Sequence, residues 1–263
     1  MTPVRKRKGA RLGQHFLTAR WAAMKLAGTA VTSRGEIVLE IGPGKGALTK
    51  ELLTFSDHVI AIEKDGILIE KLRETFKNEL SDGRLTLVPA DVRDVSPEKL
   101  GLVGGKYVLA ANIPYYITGE IIRQFLTAAT QPRAMVLLVQ KEVAQHIVSK
   151  KESILSLSVK VFGSPRIVAK VGKGSFSPPP SVDSAILSIE NISRDFFNDV
   201  DEKHFFEVVR AGFSSKRKLL ANNLSKFGKE NVLRTFEACG IAEKARAENV
   251  SKDQWKILAQ WLA

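Results

Sequence analysis

The stretch Glu36-Ile37-Val38-Leu39-Glu40-Ile41-Gly42-Pro43-Gly44-Lys45-Gly46 decides how the rest of the 263-residue chain is read. An aliphatic, β-branched run ends in three glycines spaced G-x-G-x-G, and helical spacing follows from Ala47 to Phe55. A strand entering a glycine turn and then a helix opens a βαβ unit, because glycine lets the backbone turn sharply and approach a ligand with no Cβ in the way. The spacing matches neither the dinucleotide fingerprint G-x-G-x-x-G nor the phosphate loop G-x-x-x-x-G-K-[ST]. Similar apolar runs recur at 58–63, 85–88, 107–111 and 135–139, each followed by a turn and helical spacing. Five strands alternating with helices predict an α/β fold: a Rossmann-like, doubly wound parallel sheet covered on both faces. Ligands of such sheets sit beyond the carboxyl ends of the strands.

Past Lys151 the pattern changes. Residues 155–162 read as a strand or a short helix, 167–171 and 185–189 as strands, and Phe176-Ser177-Pro178-Pro179-Pro180 as a stiff segment that continues neither a helix nor a central strand. From Glu202 onward the spacing is helical only. The expected organisation is a sheet domain over 1–195 with a basic N-terminal arm, a polar linker at 191–201, and a small all-helical domain over 196–263.

Composition narrows the class. At 44% hydrophobic and 26% charged the chain is neither disordered nor collagenous. It has no apolar run of the roughly 18 residues needed for a membrane span and no signal-peptide core, so a soluble, cytoplasmic protein is expected. Cys239 is the single cysteine, which forbids an internal disulfide and any zinc site of the paired-cysteine type; no metal is expected. The net charge of +12 is concentrated: +8 over 1–34 and +6 over each of 133–175 and 203–229, leaving the remainder at −8. Basic segments on an otherwise acidic body point to a polyanion, nucleic acid first.

The strand ends carry the chemistry. Glu63 closes the second strand 21 positions after Gly42, where a carboxylate can accept both ribose hydroxyls of a nucleoside. Asp91, after the third strand, can accept from an adenine amino group. Three such features without a diphosphate-reading element favour S-adenosyl-L-methionine over NAD. The fourth strand ends in Asn112-Ile113-Pro114-Tyr115. The side-chain oxygen of Asn112 and the backbone carbonyl of Ile113 can accept the two hydrogens of an exocyclic base amine, favouring a pyramidal nitrogen. Pro114 fixes the turn, and Tyr115 stacks on the base. In-line attack of that nitrogen on a sulfonium methyl then needs alignment and electrostatics rather than a strong base.

The set Gly13-Gln14-His15-Phe16-Leu17, Glu40-Ile41-Gly42-Pro43-Gly44, Asn112-Ile113-Pro114-Tyr115, Gln140-Lys141-Glu142-Val143-Ala144 and Phe176-Ser177-Pro178-Pro179-Pro180-Ser181-Val182-Asp183-Ser184 resembles the ribosomal RNA adenine N6,N6-dimethyltransferases, the small-subunit branch above all. The resemblance is close over 11–190 and continues through the basic segment 213–224. It implies a class I S-adenosylmethionine methyltransferase sheet and dimethylation of N6 on two adjacent adenosines of a small-subunit (16S-type) rRNA hairpin. The partner would be a 30S-type precursor particle, met by a monomer during ribosome assembly. By position it implies cofactor contacts from Gln14, His15, Leu17, Gly42, Gly44, Glu63, Asp91 and Asn112, with Tyr115 and Phe176 sandwiching a flipped adenine. His15 stands where bacterial members most often carry asparagine. Lys216, Arg217 and Lys218 open a helical segment with Asn222 and Asn223 one turn on, a composition suited to phosphates and 2′-hydroxyls of an RNA minor groove. The arm Arg5-Lys6-Arg7-Lys8 reads as an RNA-ordering or solubilising segment.

Three other readings stay open at this point. One is the antibiotic-resistance branch that modifies a large-subunit adenosine; another is a noncatalytic nucleic-acid-binding factor on the same scaffold. The third, a DNA N6-adenine methylase, is disfavoured by the absence of Asp-Pro-Pro-Tyr and of a separate target-recognition region.

Overall fold

A computed structural model describes residues 14–262, so the basic arm at 5–8 and Gly13 lie outside the described residues. The aliphatic runs become strands β2 (Ile37–Ile41), β3 (His58–Glu63), β4 (Leu85–Pro89), β5 (Tyr107–Ala111) and β6 (Ala134–Gln140). β1 is the short N-terminal strand Phe16–Leu17, and α1 (Arg20–Ala30), α2 (Ala47–Phe55), α3 (Gly66–Thr75), α4 (Lys77–Ser81) and α5 (Thr118–Leu126) occupy the intervals. The 85–88 run extends one residue, to Pro89, because a ladder position needs no N–H when the chain leaves the sheet there.

Seven strands pair in the order β4-β3-β2-β5-β6-β9-β7, with β7 at Ser164–Val171 and β9 at Ser184–Glu190. The first five are parallel and β9 runs antiparallel to β6. Five parallel strands followed by an antiparallel addition refine the expected sheet. The chain winds outward from β2 to β4 and then returns to place β5 on the other side of β2, so the order reverses between β2 and β5. Ligands of doubly wound sheets bind at that reversal. Register carries the point further: Ile41 faces both Ile62 and Ala111, so Gly42, Glu63 and Asn112 all leave the sheet at one edge.

The strands hold their places by burial. Val38, Leu39, Val108, Leu109, Val136 and Leu137 are fully buried, each contributing about 1.5–3 kcal/mol relative to exposure. Local signals end the turns. Asp65 caps α3 by accepting from the amides of Ile67 and Leu68, a donor pair otherwise orphaned at a helix start.

The chain divides into two compact units, 1–144 with 166–190 and 145–165 with 191–263. A single break at 195/196 would have kept 145–165 with the sheet. These residues group instead with the C-terminal helices because Phe162 packs on Phe197 (5.2 Å between ring centres) and Phe197 on Phe205 (5.7 Å). The 191–201 segment is therefore anchored by an aromatic cluster rather than being a plain polar linker. After α6 (Lys141–Val148), residues 155–162, ambiguous in sequence, form helix α7 (Ile154–Lys160), started by a reciprocal capping box between Ser153 and Ser156. The remaining helices of this unit are α8 (Glu202–Gly212), α9 (Leu220–Asn223), α10 (Lys229–Ala238) and α11 (Lys252–Trp261). Trp255 is fully buried against Phe213, their rings 5.5 Å apart. Among the described residues no helix is long and apolar enough to cross a membrane, and no cluster of His, Cys, Asp and Glu could hold a metal ion.

Candidate active site

The glycine turn sets the first wall. Gly42, Gly44 and Gly46 all adopt left-handed φ angles of +68°, +59° and +82°. At Gly44 a Cβ would come within 3.1 Å of the Phe16 ring, so β1 can lie against the turn only because the residue is glycine. Lys45 projects its ammonium over the same ring, 4.6 Å from the Phe16 ring centre.

Glu63 ties the turn to the neighbouring strand end. Its Oε2 accepts from the Gly44 amide at 3.2 Å, and its Oε1 accepts from the amides of Lys64 and Asp65 at 2.9 and 3.0 Å. Three backbone donors hold one buried carboxylate in a single orientation, which leaves capacity on Oε2 for a further donor. Asp91 is gripped more strongly: Arg93 donates through its amide, Nε and Nη2, the last at 2.6 Å, and Lys64 Nζ lies at 3.3 Å. The Arg93 hydrogen bonds, helped by Lys64, hold the Asp91 carboxyl well below the usual carboxylate range. At neutral pH it is ionised and can only accept hydrogen bonds.

Asn112 faces the glycine turn across the strand-order reversal. Its Nδ2 donates to the His15 carbonyl at 3.4 Å. An amide whose nitrogen is engaged there presents its Oδ1 as an acceptor to whatever lies beside it. Tyr115 follows on a 3-10 turn over Tyr115–Ile117, with Pro114 extended at φ −56° and ψ 136°. The His15 ring stacks on Tyr115 with centres 5.9 Å apart and planes 27° apart, and His15 Nδ1 donates to the Pro178 carbonyl at 2.8 Å. Burial pushes the Tyr115 hydroxyl above its ordinary range.

One cavity collects Gln14, His15 and Leu17 from the N-terminal segment, Gly42 and Gly44, Glu63, Asp91, and the run from Asn112 through Ile113 and Pro114 to Tyr115. Phe176 does not line it. Phe176 is 4% exposed, sits in the two-residue strand β8 (Phe176–Ser177) opposite Leu17, and packs into the hydrophobic core. The ring against Tyr115 is His15.

Several contributors carried no clear sequence signal. Lys64 and Arg93 line the same cavity and set the state of Asp91; their only clue was adjacency to the two acids. Glu40 is fully buried beside Thr49, and burial, reinforced by nearby Glu63 and partly offset by Thr49, pushes its pKa up to about 8. In sequence it is hidden inside the aliphatic strand, whose residues from Val38 to Ile41 are all buried.

In the other unit, Lys216, Arg217 and Lys218 are exposed on a turn, and none of them forms an ion pair with another described residue. The expected helical segment is shorter than its spacing suggests: α9 covers only Leu220–Asn223. Asn223 explains the difference, since its Nδ2 donates to the carbonyls of Gly212 and Ser215 at 2.7 and 3.0 Å and so holds the turn open. Asn222 is exposed.

A parallel sheet with a glycine turn and acidic strand ends flanking its order reversal defines the class I methyltransferase fold. Two solved structures share it over nearly the whole chain. The 23S rRNA methyltransferase ErmE is 26% identical with a TM-score of 0.76, covering 94% of this chain and 99% of that one. A dimethyladenosine transferase from Plasmodium falciparum is 26% identical with a TM-score of 0.77, covering 93% and 96%. The family model described as ribosomal RNA adenine dimethylase matches residues 5–263, and the chain belongs to that family. Among curated relatives, ribosomal RNA small subunit methyltransferase A of Dehalococcoides mccartyi (strain CBDB1) is 42% identical across 97% of this chain and 88% of its own. The protein of the same name from Clostridium botulinum (strain Okra / Type B1) is 35% identical across 94% and 91%.

Proposed function

We propose that this rRNA methyltransferase uses S-adenosyl-L-methionine to place two methyl groups on N6 of each of two adjacent adenosines in a small-subunit rRNA hairpin. It acts as a monomer on a 30S-type precursor in the cytoplasm. The observation that carries the reading is Asn112, its amide nitrogen tied to the His15 carbonyl and its oxygen left to accept from a base amine, directly across from the glycine turn. The preference for the small subunit follows the relatives: 42% identity to a small-subunit enzyme against 26% to the 23S enzyme.

The residues fit the cofactor. A Cβ on Gly42 would stand 3.6 Å from the Asn112 carbonyl, filling the gap between turn and fourth strand where a bound methionine moiety needs room. Glu63 would hold the ribose hydroxyls and Asp91, fixed in its ionised form, the adenine amine. Gln14, His15 and Leu17 would close the N-terminal side. When bound, the group supplies an electrophilic methyl on a sulfonium. Asn112 Oδ1 and the Ile113 carbonyl accept the amine hydrogens of the target adenine and turn its lone pair toward that methyl, while Tyr115 holds the ring plane. Alignment of this kind accounts for several kcal/mol of barrier lowering in enzymes generally.

Mass spectrometry of rRNA nucleosides after incubating the full chain with labelled cofactor and unmethylated small subunits tests the reading. N6,N6-dimethyladenosine in small-subunit rRNA is the expected product; label appearing only in 23S-type rRNA would replace this reading with the large-subunit one.

Lys216, Arg217 and Lys218 would contact RNA phosphates from their turn, with Asn222 beside them and Asn223 shaping the backbone. Changing all three cations to alanine should reduce the slope of log affinity against log salt by about 2–3, roughly 0.7–0.9 per lost contact, with cofactor binding unchanged. Filter binding of the rRNA hairpin across a salt series measures the slope; an unaltered slope would remove these residues from the interface.

A further inference from the structure

Ser184 is a fully buried hydroxyl at the first position of β9, followed by Ala185, Ile186 and Leu187 and, further on, Ser188, Ile189 and Glu190. Its backbone is paired with Gln140 of β6 in the antiparallel ladder, so its Cα belongs to the rigid sheet. An unmatched hydroxyl there is costly, and this one has a single side-chain partner: Tyr115 Oη at 2.8 Å.

Tyr115 is placed very differently. It stands on a short 3-10 turn outside any strand, and the ladder does not fix its ring. The ring is held at two points. His15 covers one face, and is itself tied to the Pro178 carbonyl. Ser184 takes the phenol tip. Stacking alone leaves a ring free to tilt and slide; a hydrogen bond at the far end of the same ring removes that freedom. The 176–184 segment thus reaches the site through Ser184 and Pro178, while its Phe176 stays in the core.

We propose that Ser184 is a positioning residue for methyl transfer: by fixing the Tyr115 hydroxyl to the sheet, it sets the plane in which the target adenine presents N6 to Asn112. The inference rests on the reading of Tyr115 as the surface on which the adenine stacks. An adenine lying on a tilted ring keeps most of its binding area but loses the in-line direction of its amine, so the rate suffers more than RNA affinity.

The test compares Ser184→Ala, Tyr115→Phe, the double variant and Tyr115→Ala in the full chain, with unmethylated small subunits and labelled cofactor. Ser184→Ala and Tyr115→Phe should each slow single-turnover methylation at saturating substrate about 5–20-fold, with RNA and cofactor affinities within twofold of the parent. The double variant should be no slower than the slower single, because both changes break one bond. Multiplying effects in the double variant, or a parental rate in Tyr115→Phe, would overturn the proposal. Tyr115→Phe does not touch the buried strand, so it remains decisive if Ser184→Ala folds poorly. Tyr115→Ala separates the two layers: a parental rate there refutes the stacking reading itself, whereas a rate lowered more than about 100-fold beside parental Tyr115→Phe refutes only the role of Ser184.

Discussion

Asn112→Ala is expected to lower the methyl-transfer rate by about 10²–10³-fold, the usual cost of deleting one preorganised group that stabilises charge developing in a transition state. The side chain acts at both ends. Its Nδ2 donation to the His15 carbonyl sets which atom faces the cavity, and its Oδ1 is then the acceptor available to a base amine. The amine nitrogen of adenine is a poor nucleophile while its lone pair is delocalised into the ring, and acceptors placed to favour a pyramidal nitrogen weaken that delocalisation and free the lone pair for attack. Asn112→Asp keeps an acceptor but puts a carboxylate oxygen against the His15 carbonyl, so it should rescue only part of the loss. Single-turnover assays with labelled cofactor give the rates and calorimetry the cofactor affinity, expected to change only a few fold. Dimethylation at the parental rate by Asn112→Ala would sink the assignment.

Gly46→Ala should be the most damaging single change in the glycine turn for stability. At φ +82° an L-residue costs about 1–2 kcal/mol. The new Cβ would also stand 2.4 Å from Cε2 and 2.8 Å from Cζ of Phe76, with Leu72 Cδ2 at 3.2 Å. Phe76 and Leu72 are buried and packed, so neither ring nor methyl can swing aside, and overpacking of this kind adds about 1–3 kcal/mol. A total of about 2–5 kcal/mol should appear as a lower denaturant midpoint and a fall of several degrees in the melting temperature. Gly83→Ala provides the control. It has nearly the same φ, +73°, but open space around the Cβ position, and should lose only the backbone contribution. Equal losses at both positions would show that the Phe76 contact relaxes.

How much of this could be read in advance differs from residue to residue. The strand from 37 to 41 and its glycine turn were readable because both signals are local: an aliphatic run fits only a doubly covered strand, and three glycines in five residues fit only a tight turn. Residues 155–162 were ambiguous because a short apolar stretch satisfies both periods; the Ser153–Ser156 capping box was the local clue to helix α7. The segment 216–224 misled because its composition is helical, whereas the Asn223 amide spends itself on the carbonyls of Gly212 and Ser215 and confines the helix to four residues.

Chain order, periodicity and motif spacing by themselves determined the parallel sheet, the edge at which Gly42, Glu63, Asp91 and Asn112 emerge, and the family. Those features depend on backbone direction and alternation, which neighbouring residues dictate. Only the tertiary structure decided where the individual side chains of that edge point. Phe176 turns into the core because β8 pairs with β1, more than 150 residues earlier; the same pairing brings His15 over Tyr115 and leaves Ser184 to hold the phenol. Contacts between residues so far apart in the chain leave no periodic trace in it, since a side chain's final direction is set by which strand arrives beside it and how closely the two can pack.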